Sequence, residues 1–181
     1  MSKAVIFFAD GCEECEGLIV VDFLRRAGID IVTASVNGTD TVTSSHNICF
    51  KTDALIEDLS FDDVDMIILP GGIPGTPNLL ANSTVCRLCR EFADSRKIAA
   101  ICAAPGILGK LGLLKGKCAT IHPGLEDDLV DAVVTHEKVT VDGNIVTGCA
   151  VGAAMDFAIE IVRLLEGDDA AEAIAVKTIC R

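Results

Sequence analysis

Short apolar runs alternate with amphipathic stretches along almost the whole chain, and this alternation restricts the fold more than any other feature. A strand that is apolar on every residue must be covered on both faces, which βα crossovers around a mainly parallel sheet achieve. The pattern predicts strands over residues 3–9, 30–35, 65–69, 97–102 and 118–120, with 145–147 closing the set. Helical periodicity runs over 17–27, 84–95, 105–111 and 153–166, with a last candidate at 170–178. Ala27-Gly28 and Glu166-Gly167 supply the glycine that follows a helix end. Two stretches break the rhythm. Residues 41–53 read as extended pieces around 44–47, and 138–147 carries Asp142-Gly143 between alternating residues, a hairpin signal. Both are expected to decorate a sheet edge. No repeat or linker divides the chain, so residues 1–181 are read as one α/β domain.

Charge narrows the partners. The 181 residues carry 15 Lys+Arg against 27 Asp+Glu, a formal net charge of −12, and no Trp or Tyr. Nucleic acid needs cations for its phosphates and aromatic platforms for its bases, and neither is supplied. An anionic membrane surface is disfavoured for the same reason. No apolar run approaches the roughly 18 residues of a membrane-spanning helix, so the 50% hydrophobic content is expected to fill a core. The start of the chain lacks the pattern of a secretory signal, and nine Cys is an odd thiol count. Both favour free thiols in the cytoplasm.

Ligands of open α/β sheets bind at the carboxyl ends of the strands, and three such ends stand out. Ile101-Cys102-Ala103-Ala104-Pro105 takes a strand through Cys102 straight into a helix. That turn holds a side chain up beside amide groups that favour a thiolate; the competing reading is a buried thiol packing as a small hydrophobe. Leu69-Pro70-Gly71-Gly72 lets backbone approach a ligand, and its N–H groups face a developing oxyanion if Cys102 reacts. The loop lacks the spacing of a phosphate or dinucleotide motif, so no nucleotide is implied.

Glu13, Glu14 and Glu16 open the first helix. Glu13 and Glu14 are accounted for by the positive end of the helix dipole. Glu16, followed by Gly17 and Leu18, is placed to point inward, where burial keeps a carboxyl neutral and able to donate a hydrogen bond. Cys12/Cys15 and Cys86/Cys89 have CxxC spacing but no zinc-array separation, and core packing is the default for the second pair. Cys12/Cys15 keeps a redox alternative at its helix start. His122 follows a short strand on the same side of the sheet as Cys102 and is the acid/base candidate, whereas His46 and His136 read as solvated loop residues.

Together these residues resemble the ThiJ/PfpI family, in the branch of the parkinsonism-associated protein deglycase and its bacterial relatives, within the class I glutamine amidotransferase-like superfamily. The resemblance runs through Glu13-Glu14-Cys15-Glu16, Arg25-Arg26-Ala27-Gly28-Ile29, Leu69-Pro70-Gly71-Gly72, Ala99-Ala100-Ile101-Cys102-Ala103-Ala104-Pro105, His122-Pro123 and Asp156-Phe157-Ala158. It implies a flavodoxin-like three-layer sandwich with helices on both faces of the sheet, assembled as a homodimer. It also implies Cys102 as an oxidisable nucleophile, Glu16 as its protonated partner and His122 as acid/base, with backbone donors at Gly71, Gly72 and Ala103. Cys49 at a subunit contact is suggested by the resemblance alone.

The function so implied is a cysteine-dependent glyoxalase or deglycase acting on small 2-oxoaldehydes or their protein adducts, with no metal or organic cofactor. The alternative is an oxidative-stress sensor or redox-regulated chaperone in which the same cysteine becomes a sulfinate. Three departures stand against the family pattern. His46 stands where an Arg is usual, making a permanent cation near the site a titrating one. Ala150-Val151-Gly152-Ala153 replaces a Gly-Pro-Gly-Thr run, and Ala103 occupies the His position of the family's peptidases, which disfavours peptidase activity.

Overall fold

Lys3–Phe8 forms the first strand, β1, in which Ala4 through Phe8 are all inaccessible to solvent. Successive side chains go to opposite faces: Ala4, Ile6 and Phe8 join one core cluster, Val5 and Phe7 another. A strand apolar on both faces is a central strand, and the computed structural model, which describes residues 1–180, places it so. The chain continues through α1 (Glu14–Arg26), β2 (Asp30–Ser35), β3 (Thr41–Thr43), β4 (Cys49–Lys51) and β5 (Ala54–Leu55). Then come β6 (Met66–Leu69), α2 (Gly75–Ala81), α3 (Ser83–Ser95), β7 (Lys97–Ile101) and α4 (Pro105–Lys110). The last part holds β8 (Cys118–Ala119), β9 (Val133–Val134), β10 (Val139–Asp142), β11 (Ile145–Gly148), α5 (Ala154–Glu166) and α6 (Asp168–Lys177).

The main sheet has seven strands in the order β10-β11-β7-β6-β1-β2-β5, parallel except for the β10–β11 hairpin. Helices α1, α5 and α6 cover one face through Val20, Leu24, Phe157, Ile161 and Ile174; α3 and α4 cover the other through Leu88, Phe92 and Leu108. This is the flavodoxin-like sandwich expected. α3 shows its local cause at the start, where the Asn82 side chain accepts from the N–H groups of Thr84 (2.9 Å) and Val85 (3.1 Å).

The chain leaves β1 outward to β2 and β5, then returns to place β6 on the other side of β1. Helix α1 after β1 and helix α3 after β6 therefore go to opposite faces of the sheet, and this change of direction leaves a crevice at the strand ends.

Two expected strands fall elsewhere. Residues 118–120 contribute only the two-residue β8, which pairs with β9 in a ladder of its own. Thr120 instead gives its N–H to Thr147 Oγ1 (3.0 Å), a side-chain bond that ends the strand pattern. The extended pieces in 41–53 do not decorate the sheet edge; they form the separate β3–β4 hairpin. That hairpin is tied to the loop after β1 by Gly11 N–H to Thr43 O (2.8 Å) and Ser45 N–H to Cys12 O (2.8 Å).

Phe157 of α5 is wholly buried against Ile101 and Gly148, where no space is left for a Cβ on Gly148. Phe157→Ala is expected to cost about 3–5 kcal/mol of stability, read as a lower midpoint in urea denaturation with an unchanged slope; a loss under 1 kcal/mol would mean that this face of the sheet is loosely packed.

Candidate active site

The three strand ends flanking the crevice carry the chemistry. After β7 the chain turns at Cys102, whose φ of 63° is left-handed. That conformation costs a non-glycine residue about 1–3 kcal/mol and persists only where its surroundings hold it. Here the Cys102 N–H donates to Gly148 O (2.9 Å) and its carbonyl accepts from the His122 N–H (2.9 Å). The half-buried side chain is thereby lifted out of the sheet toward α1.

Glu16, in the first turn of α1, is 1% exposed. Its Oε2 accepts from the Gly71 N–H at 3.0 Å, its Oε1 has no hydrogen-bond partner, and the carboxyl lies beside the Cys102 side chain, close enough for each to shift the other's titration. Gly71 is what allows this approach. A Cβ there would lie 2.6 Å from Cys102 Cβ and 2.6 Å from Glu16 Oε2. Gly72 next to it has φ of 95°, and a Cβ on it would come within 2.3 Å of the Glu13 nitrogen.

Gly72 and Ala103 present their amides to the sulfur. His122 is exposed and lines two cavities together with Cys102 and Gly72, one of 440 Å³ also bounded by Ile73 and Leu125, the other of 180 Å³ bounded by Glu13, Glu16, Ala150 and Val151. His122 Nδ1 is 2.9 Å from Pro123 O. A carbonyl only accepts, so Nδ1 carries hydrogen, and in the neutral ring Nε2 is left as the base.

The model of the DJ-1/PfpI family matches residues 2–164. Protein dj-1beta of Drosophila melanogaster is 36% identical over 179 residues, covering 97% of this chain and 96% of that protein. The chain belongs to the DJ-1/PfpI family. A protein of Pyrococcus abyssi named a deglycase is 30% identical over 166 residues, covering 91% of this chain and 99% of its own. Among solved structures, the oxidized DJ-1 of Toxoplasma gondii superposes with a TM-score of 0.94 at 31% identity, covering 99% of this chain and 98% of the other.

In this DJ-1/PfpI chain, the electrostatics at Cys102 differ from the sequence expectation that a helix start lowers the thiol. Burial pushes Cys102 up to about 12, with the charge and hydrogen bond of Glu16 adding to the rise and the amides of Ala103 and Gly72 opposing it. The following helix α4 is only six residues long and begins three positions later, so its dipole acts little. Burial also raises Glu16 to about 7, against the hydrogen bonds from Cys102 and Gly71. Two anions side by side in a low dielectric repel strongly, so near neutrality the pair holds one proton between sulfur and carboxyl.

Gly71 was expected as a backbone donor at Cys102; its N–H is instead committed to Glu16, which leaves Gly72 and Ala103. His46 reaches the site at one remove. Its Nδ1 lies 3.1 Å from Glu14 Oε1 and 3.4 Å from Glu13 Oε2, and the hydrogen bond it donates to Glu14, then the charges of Glu13 and Glu14, raise its pKa. Glu14 is buried rather than a solvated dipole partner; burial pushes it up, but bonds from its own amide, Ser44 and His46 win and hold it below the carboxylate range. Glu13 lines the Cys102 cavity, a place that the dipole reading passed over. The signal was its position in the loop after β1, at the same sheet end as Cys102.

The other thiols stand apart. Cys12 and Cys89 are buried in the two cores, which pushes each up to about 12, while Cys15 and Cys49 are exposed.

Because Glu16 is raised from 4.5 to about 7, the folded state holds more protons than the unfolded chain between those values. The contribution of this group to stability is therefore greatest below 4.5 and falls as pH rises toward 7, by about 3 kcal/mol. The difference in unfolding free energy between wild type and Glu16→Gln is expected to shrink in that direction from pH 4.5 to pH 8; a difference independent of pH would show that Glu16 keeps its ordinary affinity for protons.

Proposed function

We propose that the protein is a cysteine-dependent enzyme acting on 2-oxoaldehydes, free or as adducts on protein, without metal or organic cofactor. The observation that carries this reading is the buried Glu16 carboxyl in contact with Cys102 beneath the amides of Gly72 and Ala103. In the one-proton state with the proton on Glu16, the sulfur bears the charge and the two amides stabilise it. The thiolate adds to the aldehyde carbon, and the alkoxide formed takes a proton from Glu16, giving a hemithioacetal. His122 Nε2 removes the proton from that carbon and returns one to the former ketone carbon, while the ionised Glu16 passes the hydroxyl proton of the hemithioacetal to the ketone oxygen, leaving a thioester and a 2-hydroxy group. Water then hydrolyses the thioester, so that the sum is 2-oxoaldehyde plus water to 2-hydroxy acid. The pyrococcal relative named a deglycase supports this class of chemistry.

Cys102→Ala is expected to abolish lactate formation from methylglyoxal with the fold intact by circular dichroism, and His122→Gln to lower kcat about 10²–10⁴-fold. An undiminished rate in Cys102→Ala defeats the reading.

The same contact favours a second reading. A protonated Glu16 donates to an oxygen on sulfur, so peroxide oxidises the thiolate to sulfenate and then sulfinate, each step releasing one water, and the carboxyl retains the product. The Toxoplasma relative was solved in an oxidized state. On this reading Cys102 gains two oxygens under mild peroxide by intact-mass measurement, Glu16→Leu shifts the distribution of products, and aldehydes are not turned over. An unchanged distribution removes Glu16 from that role.

A further inference from the structure

Next to the Cys102 cavity lies a second one of 170 Å³. The two share Ile73, Ala103 and Leu125, so they meet beside Ala103, the residue that follows the nucleophile. Leu80 and Ile107 extend the second cavity as an apolar pocket. Thr76 also lines it, at 8% exposure, with its Oγ1 buried and without a hydrogen-bond partner. The Thr76 backbone is already satisfied through Gly72 O at 2.8 Å, so only the hydroxyl is open. Buried hydroxyls are rarely left unpaired, and one on the wall of a cavity points to an acceptor supplied from outside the chain. The cavity also has a charged edge, but Lys110 Nζ and Asp128 Oδ2 are 2.8 Å apart and neutralise one another. It is therefore matched to an uncharged group.

We infer that this second cavity holds the substituent on the ketone carbon of the substrate, and that the preferred substrates are 2-oxoaldehydes bearing an aryl or branched alkyl group with one hydrogen-bonding oxygen for Thr76. The inference rests on the aldehyde chemistry proposed above and deepens it. Size decides between substituents. An apolar cavity of about 150 Å³ accepts a benzene ring, whereas the methyl of methylglyoxal would leave this one empty. The apolar lining of Ile73, Leu80, Ile107 and Leu125 then excludes water from around the ring and contributes binding that a methyl group cannot.

The test compares methylglyoxal, phenylglyoxal and the 3- and 4-hydroxyphenylglyoxals on the full chain. Wild type is expected to show kcat/KM at least tenfold higher for phenylglyoxal than for methylglyoxal, and higher again for one of the hydroxylated forms. Leu80→Phe fills the cavity and is expected to lower the phenylglyoxal-to-methylglyoxal ratio at least tenfold, while Thr76→Val removes the added preference for the hydroxylated form. Titration of Cys102→Ala with 2-hydroxyacetophenone and with hydroxyacetone, uncharged hydroxyketones bearing the phenyl and the methyl group, supplies a readout free of turnover: the phenyl ketone shifts the amide resonances of Thr76 and Leu80 and hydroxyacetone does not. Wild type inert toward every aldehyde overturns the reaction proposed above. Methylglyoxal turnover with a ratio near one that Leu80→Phe leaves alone overturns the second cavity as a subsite, and so does 2-hydroxyacetophenone that leaves Thr76 and Leu80 unmoved.

Discussion

The structure around the crevice depends on one steric fact: Glu16, Gly71 and Cys102 meet at a point where no further carbon atom fits. Each belongs to a different part of the chain, Glu16 to the start of α1, Gly71 to the loop after β6 and Cys102 to the turn after β7. Their meeting requires β1, β6 and β7 to lie side by side with their carboxyl ends level, which the parallel register supplies. The Glu13 N–H donating to Gly71 O at 2.9 Å sets the entry of α1 against the β6 loop, so the helix that carries Glu16 is fixed by the same glycine that makes room for it.

Close approach has an electrostatic consequence. Burial raises the affinity of both the carboxyl and the thiol for protons, and Glu16 adds to the rise at Cys102, whereas the hydrogen bond from the thiol lowers Glu16. Neither is an ordinary acid any longer, and they titrate as a unit whose first proton leaves near neutrality. Where the remaining proton sits is then decided by a few hydrogen bonds. Gly71 N–H favours charge on Glu16, whereas Gly72 and Ala103 favour it on sulfur. The left-handed backbone at Cys102 is part of the same device, because it brings the sulfur to the amide of its own successor residue.

The sheet was legible because its strands are apolar on both faces, a pattern that survives without knowledge of tertiary contacts. β1, β2, β6, β7 and the β10–β11 hairpin fall where periodicity and Asp142-Gly143 place them. Helix α1 begins at Glu14, where the acidic residues place its opening, and three residues before the apolar periodicity starts, since buried Glu14 and Glu16 read as polar. α2 was missed because Gly75, Pro77 and Asn78 carry no helical stripe. At the site, the strand ends picked out Cys102, Gly72 and His122, which line one cavity. What could not be read was competition between partners: that Gly71 gives its only N–H to Glu16, that His46 is held by Glu13 and Glu14, and that the thiol is raised rather than lowered. These depend on distances between residues far apart in sequence, to which composition and spacing are blind.

On the proposed reaction, the charge around Cys102 also selects the electrophile. Glu13 and Glu16 line one of its cavities, and among the described residues no Lys or Arg lines either. His46, the nearby group able to become a cation, is engaged by Glu13 and Glu14. A carboxylate or phosphate entering this crevice would meet two acidic side chains and no fixed positive charge, a repulsion that the low dielectric magnifies. An uncharged carbonyl meets no such barrier on entry. It becomes an anion only after the sulfur has added, at which point the charge moves off the sulfur without increasing in number. A site acidic in its walls and supplied with backbone amides at its sulfur thus favours a neutral electrophile over an anionic one.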